Sequence, residues 1–329
     1  MDTALTGATG HVGASLARMI LAQGRSVRIL IRNDLRAIEG LDVETVTGDI
    51  LEPESLMKLC EGVDTVFHLA ARISITGSDG GMVEEVNING TKNVIEACLR
   101  SRVKRLIHFS SIHAYCSEPH DEIIDETRRF ALDRDEFPYD RSKAIGQMEV
   151  LKAVDRGLDA VVLNPTAVLG PHDYKPSRMG EALINIYRNH YPALVDGGYD
   201  WVDARDVAAC ALTAEKKGRK GESYLISGQW RHVCDISRII SELYDRNTPT
   251  FATPMWLCTF PAHVVLAFSK LLDYSPKFTP YSLKTVRSHR NISHEKATRE
   301  FGYTPRPIEE TIRDSIDWFR SRGVLDGSD

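Results

Sequence analysis

The chain has 329 residues, of which 42% are hydrophobic and 26% are charged, and its formal net charge is -5. This length predicts two cores, or one core with a large elaboration, because single cores stop growing near about 250–300 residues. The apolar fraction excludes a disordered chain, and 41 basic against 46 acidic residues disfavour a nucleic-acid binder with a broad basic face.

Strand and helix signals alternate through the first half of the chain. The predicted strands are 2–6, 27–31, 43–47, 64–69, 105–110 and 159–163. The predicted helices are 12–23, one that begins at Pro53, 82–102 and 139–156. Strands separated by single helices imply right-handed crossovers. We therefore predict an α/β fold in which a doubly wound parallel sheet carries helices on both faces.

After Pro165 the pattern is less regular and predicts a smaller α/β lobe over the carboxyl ends of the sheet. Asp206 is the expected N-cap of the helix at 203–216. The apolar stretch 256–272 is broken by polar residues and is shorter than the about 20 residues of a spanning helix. It predicts a cover for a substrate pocket, or contact with a membrane surface, but no integral membrane segment. The other predicted elements are helices at 179–190, 235–245, 294–301 and 308–320 and a strand at 223–227.

The N terminus and the cysteines indicate a cytoplasmic protein. The first residues, MDTALTGATG, contain neither a basic n-region nor an apolar h-region, so no secretory signal is predicted. None of the 6 cysteines forms a CxxC pair, and the histidines show no HExxH spacing. We expect reduced thiols and no metal site.

The segment TGATGHVG, residues 6–13, follows the first strand and opens the first helix. In this context Gly7 allows a tight turn, Gly10 the close approach of a pyrophosphate, and Gly13 close helix–strand packing. The phosphates would lie against the free N–H groups of the helix N-terminus. The residues predicted to hold the cofactor here are Gly7, Thr9, Gly10, His11, Val12 and Gly13.

Arg32, at the end of the second strand, indicates which dinucleotide fits. A carboxylate there would bind both ribose hydroxyls and repel a 2′-phosphate, whereas a guanidinium binds a phosphate bidentately. The sequence therefore favours NADP(H). A solvated surface arginine is the alternative, and Asp34 keeps NAD(H) open.

The ends of the next two strands supply further expected cofactor contacts. Asp49 can accept a hydrogen bond from the adenine amine while Ile50 covers the ring, unless Asp49 only caps a local turn. The small side chains of Leu69-Ala70-Ala71 would let the backbone lie close to the cofactor.

Tyr139 and Lys143 begin a predicted helix, and their i,i+4 spacing puts phenol and ammonium on one face. We expect the cation to lower the pKa of the phenol, which then exchanges a proton with a reacting oxygen. Ser111, after the fifth strand, is expected to donate a hydrogen bond to the same oxygen, while strand alternation turns Ser110 away. His113 either contacts substrate or is a packed or surface histidine.

These motifs together resemble the extended short-chain dehydrogenase/reductase family. The segments TGATGHVG, GDI, HLAA, NINGT, SSIHAY, YDRSK and NPTAVLGP carry the resemblance over residues 2–171, and WVDARDVA and FGYTPRPIEETIRDSIDWF extend it. The dihydroflavonol-4-reductase-like branch, whose members reduce ketones or aldehydes with NADPH, is the most similar. The stretch 116–130 shows no flavonoid-specific pattern.

The resemblance implies a Rossmann fold and a role for several residues. Tyr139 and Lys143 would also touch the cofactor, and Asn164 and Pro165 would lie along the nicotinamide. A helix cap is the alternative for Asn87. We expect a dinucleotide-binding domain at 1–165, with 201–227 returning to it, and a mainly substrate-binding lobe at 166–329. The implied catalytic residues are Ser111, Tyr139, Lys143 and Asn87.

The sequence predicts an NADP(H)-dependent oxidoreductase that interconverts a carbonyl and an alcohol on a small or medium organic molecule. One alternative is an NAD-dependent nucleotide-sugar epimerase or dehydratase, which shares the Ser/Tyr/Lys chemistry. Another is a non-catalytic dinucleotide sensor. A homodimer through helices 82–102 and 139–156 is expected, as in many relatives. Core packing is the alternative for most of the residues expected to line the pocket, which are Tyr174, Met179, Tyr199, Trp201, Trp256 and Phe260.

Overall fold

The computed structural model describes residues 2–257 and 279–325. Phe260 and most of the predicted pocket cover at 256–272 lie outside the described residues. The strands, in chain order, are β1 Thr3–Thr6, β2 Val27–Ile31, β3 Glu44–Thr47, β4 Thr65–His68, β5 Arg105–Phe109, β6 Ala160–Pro165, β7 Ala167–Leu169, β8 Leu194–Val195, β9 Gly198–Asp203, β10 Ser223–Ile226, β11 Gln229–His232 and β12 Ala252–Thr253.

Seven of these strands form one parallel sheet in the order β10-β6-β5-β4-β1-β2-β3. The chain leaves β1 in one direction towards β3 and then returns to β4 on the other side of β1. This reversal opens a crevice at the carboxyl ends of β1 and β4, where open α/β sheets bind ligands. The predicted doubly wound α/β fold is confirmed.

Most of the helices begin and end near the predicted positions. The predicted helix 82–102 contains a π-helical turn, Glu85–Gly90, and the short helix Pro280–Thr285 was not predicted. Pro53 and Pro138 open two of the helices, where a missing N–H costs nothing. The helices are α1 His11–Ala22, α2 Pro53–Cys60, α3 Met82–Glu84, α4 Thr91–Arg100, α5 Pro138–Asp155, α6 Arg178–Tyr187, α7 Ala204–Lys217, α8 Val233–Tyr244, α9 Pro280–Thr285, α10 Glu295–Phe301 and α11 Ile308–Ser321.

Both faces of the parallel sheet are covered, which explains why its central strands are buried and mostly apolar, whereas the edge strand β3 is largely exposed. On one face α1 and α7 bury Leu5, Leu16 and Ile29. On the other face α2, α4 and α5 bury Leu56 and Val66. None of the helices that the structure describes is long and apolar enough to cross a membrane.

The second half contains short strands that the sequence did not predict. β7, β9 and β11 form a three-stranded sheet, and β8 pairs with β12. Helices α6, α8 and α11 pack around Trp201 in a separate core. The N-cap of α7 is Asp203, whose carboxylate accepts from Arg205 N at 2.7 Å, so the prediction of Asp206 was wrong. Asp206 instead accepts from Arg306 N at 2.9 Å.

Candidate active site

The glycine turn between β1 and α1 is closely packed at Gly7 and Gly13 and more open at Gly10. A Cβ on Gly7, whose φ is +75°, would lie 2.7 Å from Ala70 N, and one on Gly13 would lie 2.2 Å from Gly7 O. A Cβ on Gly10 would meet only Gly7 O, at 3.3 Å. The first turn of α1 has no acidic residue and no side-chain cap, so its N–H groups remain available to an anion.

His11, within this turn, is tied to the start of the second lobe. Its Nε2 donates to the carbonyl oxygens of Gly170 and Pro171 at 3.0 and 3.1 Å. Thr9 and Val12 are partly exposed beside it. Its Nδ1 is buried 3.9 Å from Asp173 Oδ2 and makes no hydrogen bond within residues 2–257 and 279–325, so the backbone N–H is the group of His11 at the open N-terminus of α1.

Arg32 lies on the surface at the end of β2, with 74% of its side chain exposed. Its Nη1 is 3.5 Å from Asp49 Oδ2, and the other oxygen of Asp49 accepts from Leu51 N at 3.0 Å. Asp49 thus caps a local turn, as the alternative interpretation had it. The neighbouring Arg36 is bound by Asp34, so Arg32 is the guanidinium that is less restrained.

The remaining predicted cofactor residues lie along the carboxyl edge of the sheet. Ile50 is buried under Gly90, where a Cβ would meet it at 2.5 Å. Leu69 and Ala70 are partly exposed after β4, and Ala71 is exposed. These small residues leave backbone accessible beside the glycine turn.

Ser111, Tyr139 and Lys143 are brought together at the ends of β5 and α5. The Ser111 side chain lies close enough to the Tyr139 hydroxyl to lower the pKa of that phenol. Lys143 Nζ donates to the carbonyl oxygen of Phe109 at 2.8 Å. All three side chains are buried, with Tyr139 only 8% exposed. This arrangement presents two hydroxyl donors to one oxygen atom, with a cation behind them.

Burial controls the protonation of this trio. Burial raises the pKa of Tyr139 to about 12, against a smaller lowering by the neighbouring Ser111 hydroxyl. It lowers the pKa of Lys143 to about 8. The expectation that Lys143 lowers the pKa of Tyr139 was wrong for this state of the protein, because desolvation exceeds every favourable contact of the phenol.

Asn87 lies in the π-helical turn and is not a helix cap. Its Nδ2 donates to Ser142 Oγ at 2.9 Å and to Arg72 O at 3.0 Å, and its Oδ1 accepts from Arg72 N at 2.8 Å. Ser142 Oγ in turn donates to Tyr139 O at 2.7 Å. Asn87 therefore holds the first turn of α5, which carries the phenol.

A second set of hydrogen bonds, which the sequence did not predict, connects Asn87 to the glycine turn. Ala70 N donates to Thr6 Oγ1, which lies 2.7 Å from His68 Nδ1. His68 Nε2 lies 3.2 Å from Thr91 Oγ1, which donates to Asn87 O at 2.7 Å. Because the Thr91 hydroxyl donates its proton to Asn87 O, it can only accept from His68. His68 therefore carries its proton on Nε2. Burial lowers the pKa of His68 to about 3, so the ring is neutral.

Asn164 supports the site from beneath. Its Nδ2 donates to Ser111 O at 2.9 Å and to Gln147 Oε1 at 2.7 Å, which fixes the position of Ser111. Pro165 follows as the last residue of β6 and is partly exposed.

The residues present fit a dinucleotide. Asn164 Oδ1 and Ser110 Oγ are buried with no hydrogen-bond partner within residues 2–257 and 279–325. Buried polar atoms are normally satisfied, so unpaired ones at a site indicate a missing polar group. Together with the uncapped N-terminus of α1 and the exposed Arg32, they mark a path along the carboxyl edge of the sheet. Among the residues that the structure describes, no group of three or more His, Cys, Asp or Glu side chains could hold a metal ion.

A cavity of about 330 Å³ opens next to the first turn of α5. The aromatic residues expected to line it lie elsewhere: Tyr174 accepts from Arg18 at 2.6 Å, and Trp256 is 73% exposed. Met179, Tyr199 and Trp201 pack in the core of the second lobe. The described residues that line the cavity are Ile75, Thr76, Asp135, Glu136, Phe137, Asp140, Thr279, Pro280, Tyr281 and Lys284.

The fold and the site define a dinucleotide-dependent α/β enzyme. Residues 3–227 match the model of the NAD dependent epimerase/dehydratase family, and the chain belongs to that family. This confirms the resemblance to the extended short-chain dehydrogenase/reductases, and the protein is an NAD(P)-dependent oxidoreductase of that family.

Relatives and solved structures cover nearly the whole chain. Sterol demethylase protein B of Methylococcus capsulatus is 33% identical over 99% of this chain and 100% of its own length. The putative dihydroflavonol 4-reductase of Synechocystis is 29% identical over 98% of this chain and 95% of its own length. The crystal structure of gox2253 superposes with a TM-score of 0.85 and 30% identity, covering 98% of both chains.

Proposed function

We propose that the protein is an NADP(H)-dependent oxidoreductase that interconverts a carbonyl and an alcohol on a small or medium organic substrate. The observation that carries this proposal is the closeness of the buried Ser111 and Tyr139 hydroxyls, with Lys143 one turn further along the same helix as Tyr139. Two donors aimed at one oxygen are what stabilises the charge that develops during carbonyl reduction.

The protonation state of Tyr139 suits carbonyl reduction. With a pKa of about 12, Tyr139 is protonated at neutral pH and can donate its proton to the carbonyl oxygen. Ser111 donates a second hydrogen bond and shares the developing negative charge. The nicotinamide, when bound, supplies the hydride, or accepts it in the reverse direction. Lys143 has further N–H groups besides the one on Phe109 O, and we expect these to hold the ribose.

The preference for NADP(H) rests on Arg32. Its guanidinium is exposed at the end of β2 and its ion pair with Asp49 is long, at 3.5 Å. A 2′-phosphate offers a stronger, bidentate partner than this. Preference for NAD(H) would instead favour the nucleotide-sugar epimerase or dehydratase alternative.

Names of relatives support a carbonyl or alcohol substrate. Besides the putative dihydroflavonol 4-reductase above, the 2-alkyl-3-oxoalkanoate reductase of Stenotrophomonas maltophilia is 26% identical over 95% of this chain. Cinnamoyl-CoA reductase 1 of Petunia hybrida is 28% identical over 88% of this chain. We propose a substrate that carries a ketone or aldehyde, or the corresponding alcohol.

The test of the proposed function is Tyr139→Phe, assayed for NADPH consumption against a panel of ketones and aldehydes. We expect unchanged NADPH binding and a loss of turnover of at least about 100-fold, because the proton donor is removed. Tyr244→Phe, on α8, is the matched control. Full activity in Tyr139→Phe refutes the assignment, and NADPH binding without turnover in the wild type favours the sensor alternative. Light scattering tests the predicted homodimer.

A further inference from the structure

His68, the last residue of β4, lies between the glycine turn and the π-helical turn that carries Asn87. Both nitrogens of its ring have a partner: Nδ1 is 2.7 Å from Thr6 Oγ1, and Nε2 is 3.2 Å from Thr91 Oγ1. All three side chains are buried. Water therefore cannot replace a lost partner without an opening of the fold, and removal of one hydroxyl leaves a buried polar atom unpaired.

The donors in this buried chain, which runs Ala70–Thr6–His68–Thr91–Asn87, all point the same way. Ala70 N donates to Thr6 Oγ1, so the Thr6 hydroxyl directs its own proton at His68 Nδ1. His68 donates from Nε2 to Thr91, and the Thr91 hydroxyl donates to Asn87 O. Each side chain from Thr6 to Thr91 thus accepts one hydrogen bond and donates one. Such a series strengthens every member, and the loss of any link weakens the rest.

Thr91 replaces a backbone hydrogen bond at the end of the π-helical turn. Its backbone N–H bonds to Ile88 O, whereas an α-helix would pair it with Asn87 O, four residues back. The Thr91 hydroxyl donates to Asn87 O instead, at 2.7 Å. The position of this carbonyl group therefore depends on a side chain that His68 orients.

Asn87 is also where the π-helical turn contacts α5. A Cβ on Gly146 of α5 would lie 2.7 Å from Asn87 O, so the helix packs directly on that carbonyl group. One turn earlier, Ser142 Oγ accepts from Asn87 Nδ2 at 2.9 Å and donates to Tyr139 O at 2.7 Å. Packing this close transmits displacements, so a shift of Asn87 moves the part of α5 that carries Tyr139.

We propose that His68 and Thr91 are positioning residues, which act through Asn87 to set where α5 holds the Tyr139 hydroxyl. This rests on the proposed function, in which Tyr139 supplies the proton. Neither His68 nor Thr91 acts on the substrate itself. A small misplacement of the proton donor lowers the rate of reaction while cofactor and substrate still bind, so the two residues should affect turnover rather than binding.

The test removes one link of the buried chain at a time. Thr91→Val deletes the hydroxyl at nearly constant shape, and His68→Asn can still accept from Thr6 but no longer reaches Thr91. Each should lower the single-turnover rate of NADPH oxidation about 10- to 100-fold, with the KM for NADPH and for the carbonyl compound changed by less than about threefold. Thr91→Ser keeps the hydroxyl and should restore the rate to within about threefold of the wild type. Hexanal, benzaldehyde and 2-octanone are the carbonyl probes.

Thr311→Val, on α11, is the matched control. Thr311 is as buried as Thr91, and its hydroxyl also donates to a buried acceptor, Asp203 Oδ2, at 2.9 Å. This variant should lower the urea midpoint, as Thr91→Val does, and leave the rate unchanged. Rates are expressed per NADPH-binding site, so an unfolded fraction does not lower them.

The outcomes separate this inference from the proposed function. An unchanged rate in folded Thr91→Val or His68→Asn overturns the positioning role, even where Tyr139→Phe is inactive. So does an equal loss of rate in Thr311→Val, or a rate in Thr91→Ser as low as that in Thr91→Val, because either result reports general destabilisation. A wild type that binds NADPH and reduces none of the three probes overturns the proposed function, and the positioning role with it.

Discussion

Replacing Arg32 by alanine isolates the interaction that should distinguish NADPH from NADH. The side chain is 74% exposed and its contact with Asp49 is 3.5 Å long. Exposed ion pairs contribute only about 0–1 kcal/mol to stability, so Arg32→Ala should leave the free energy of unfolding nearly unchanged. Any large effect on cofactor binding then reports a contact with the cofactor.

The size of that effect follows from the chemistry of the pair. A hydrogen bond between charged groups contributes about 1.5–3 kcal/mol, which corresponds to about 10- to 150-fold in Kd. The exposure of Arg32 places the expected value at the lower end, about 10- to 30-fold weaker NADPH binding. NADH lacks the 2′-phosphate, and its Kd should change by less than about threefold.

Arg36→Ala is the matched control, because Arg36 lies four residues away and is already bound. Its Nη2 and Nε donate to Asp34 at 2.6 and 2.9 Å, and this pairing lowers the pKa of Asp34 to about 2. NADPH binding to this variant should match the wild type.

The assay is a fluorescence titration of cofactor-free protein with NADPH and NADH, for the wild type and both variants, at low and high salt. The assignment of Arg32 to the 2′-phosphate is supported if Arg32→Ala loses affinity for NADPH but not for NADH, and if that loss is smaller at high salt. Equal losses for the two cofactors, or equal losses in the two variants, would refute the reasoning. Tighter binding of NADH to the wild type would reduce Arg32 to a surface charge.

Three further predictions concern stability, each measured by urea denaturation. Gly13→Ala should destabilise the protein by about 1–3 kcal/mol or more, since the new Cβ would lie 2.2 Å from Gly7 O; an unchanged midpoint would show that α1 shifts freely. Burial raises the pKa of Asp200 from 3.8 to about 6, so the stability that its protonated form contributes is lost as pH rises through 6. Asp200→Asn should therefore stabilise the protein by about 1–3 kcal/mol at pH 8 but not at pH 4. Burial lowers the pKa of His68 and of His289 to about 3, so stability should fall as pH drops below about 6.5, by up to about 2.7 kcal/mol per unit; a flat profile from pH 7 to 5 would contradict this.

The sequence predicts the parallel sheet because most of its strands are local apolar runs, and helices follow β1, β3, β4 and β5 along the chain. The glycine turn and the pair Tyr139 and Lys143 are equally local, since their spacing within one turn or one helix carries the signal. Ser111 is brought to them by parallel strand order alone. These features need no long-range information beyond the direction of the sheet.

Other parts of the site depend on contacts between distant segments. The Nε2 of His11 reaches Gly170, and Asp140 meets Tyr281 from the second lobe, at separations that no local pattern records. The strands of the second lobe are short and carry polar residues, so period-two alternation is absent from them. The pKa of Tyr139 could not be predicted from the spacing to Lys143, because burial is a property of the whole fold.

His68 offers a way to observe the interior of the site directly. Its ring is fully buried, with one nitrogen beside Thr6 under the glycine turn and the other beside Thr91, next to Asn87. A proton held on Nε2 in this position is shielded from solvent and should give a resolved, slowly exchanging nuclear magnetic resonance signal. That one signal would respond to cofactor bound at the glycine turn on one side and, through Asn87, to movement of α5 on the other.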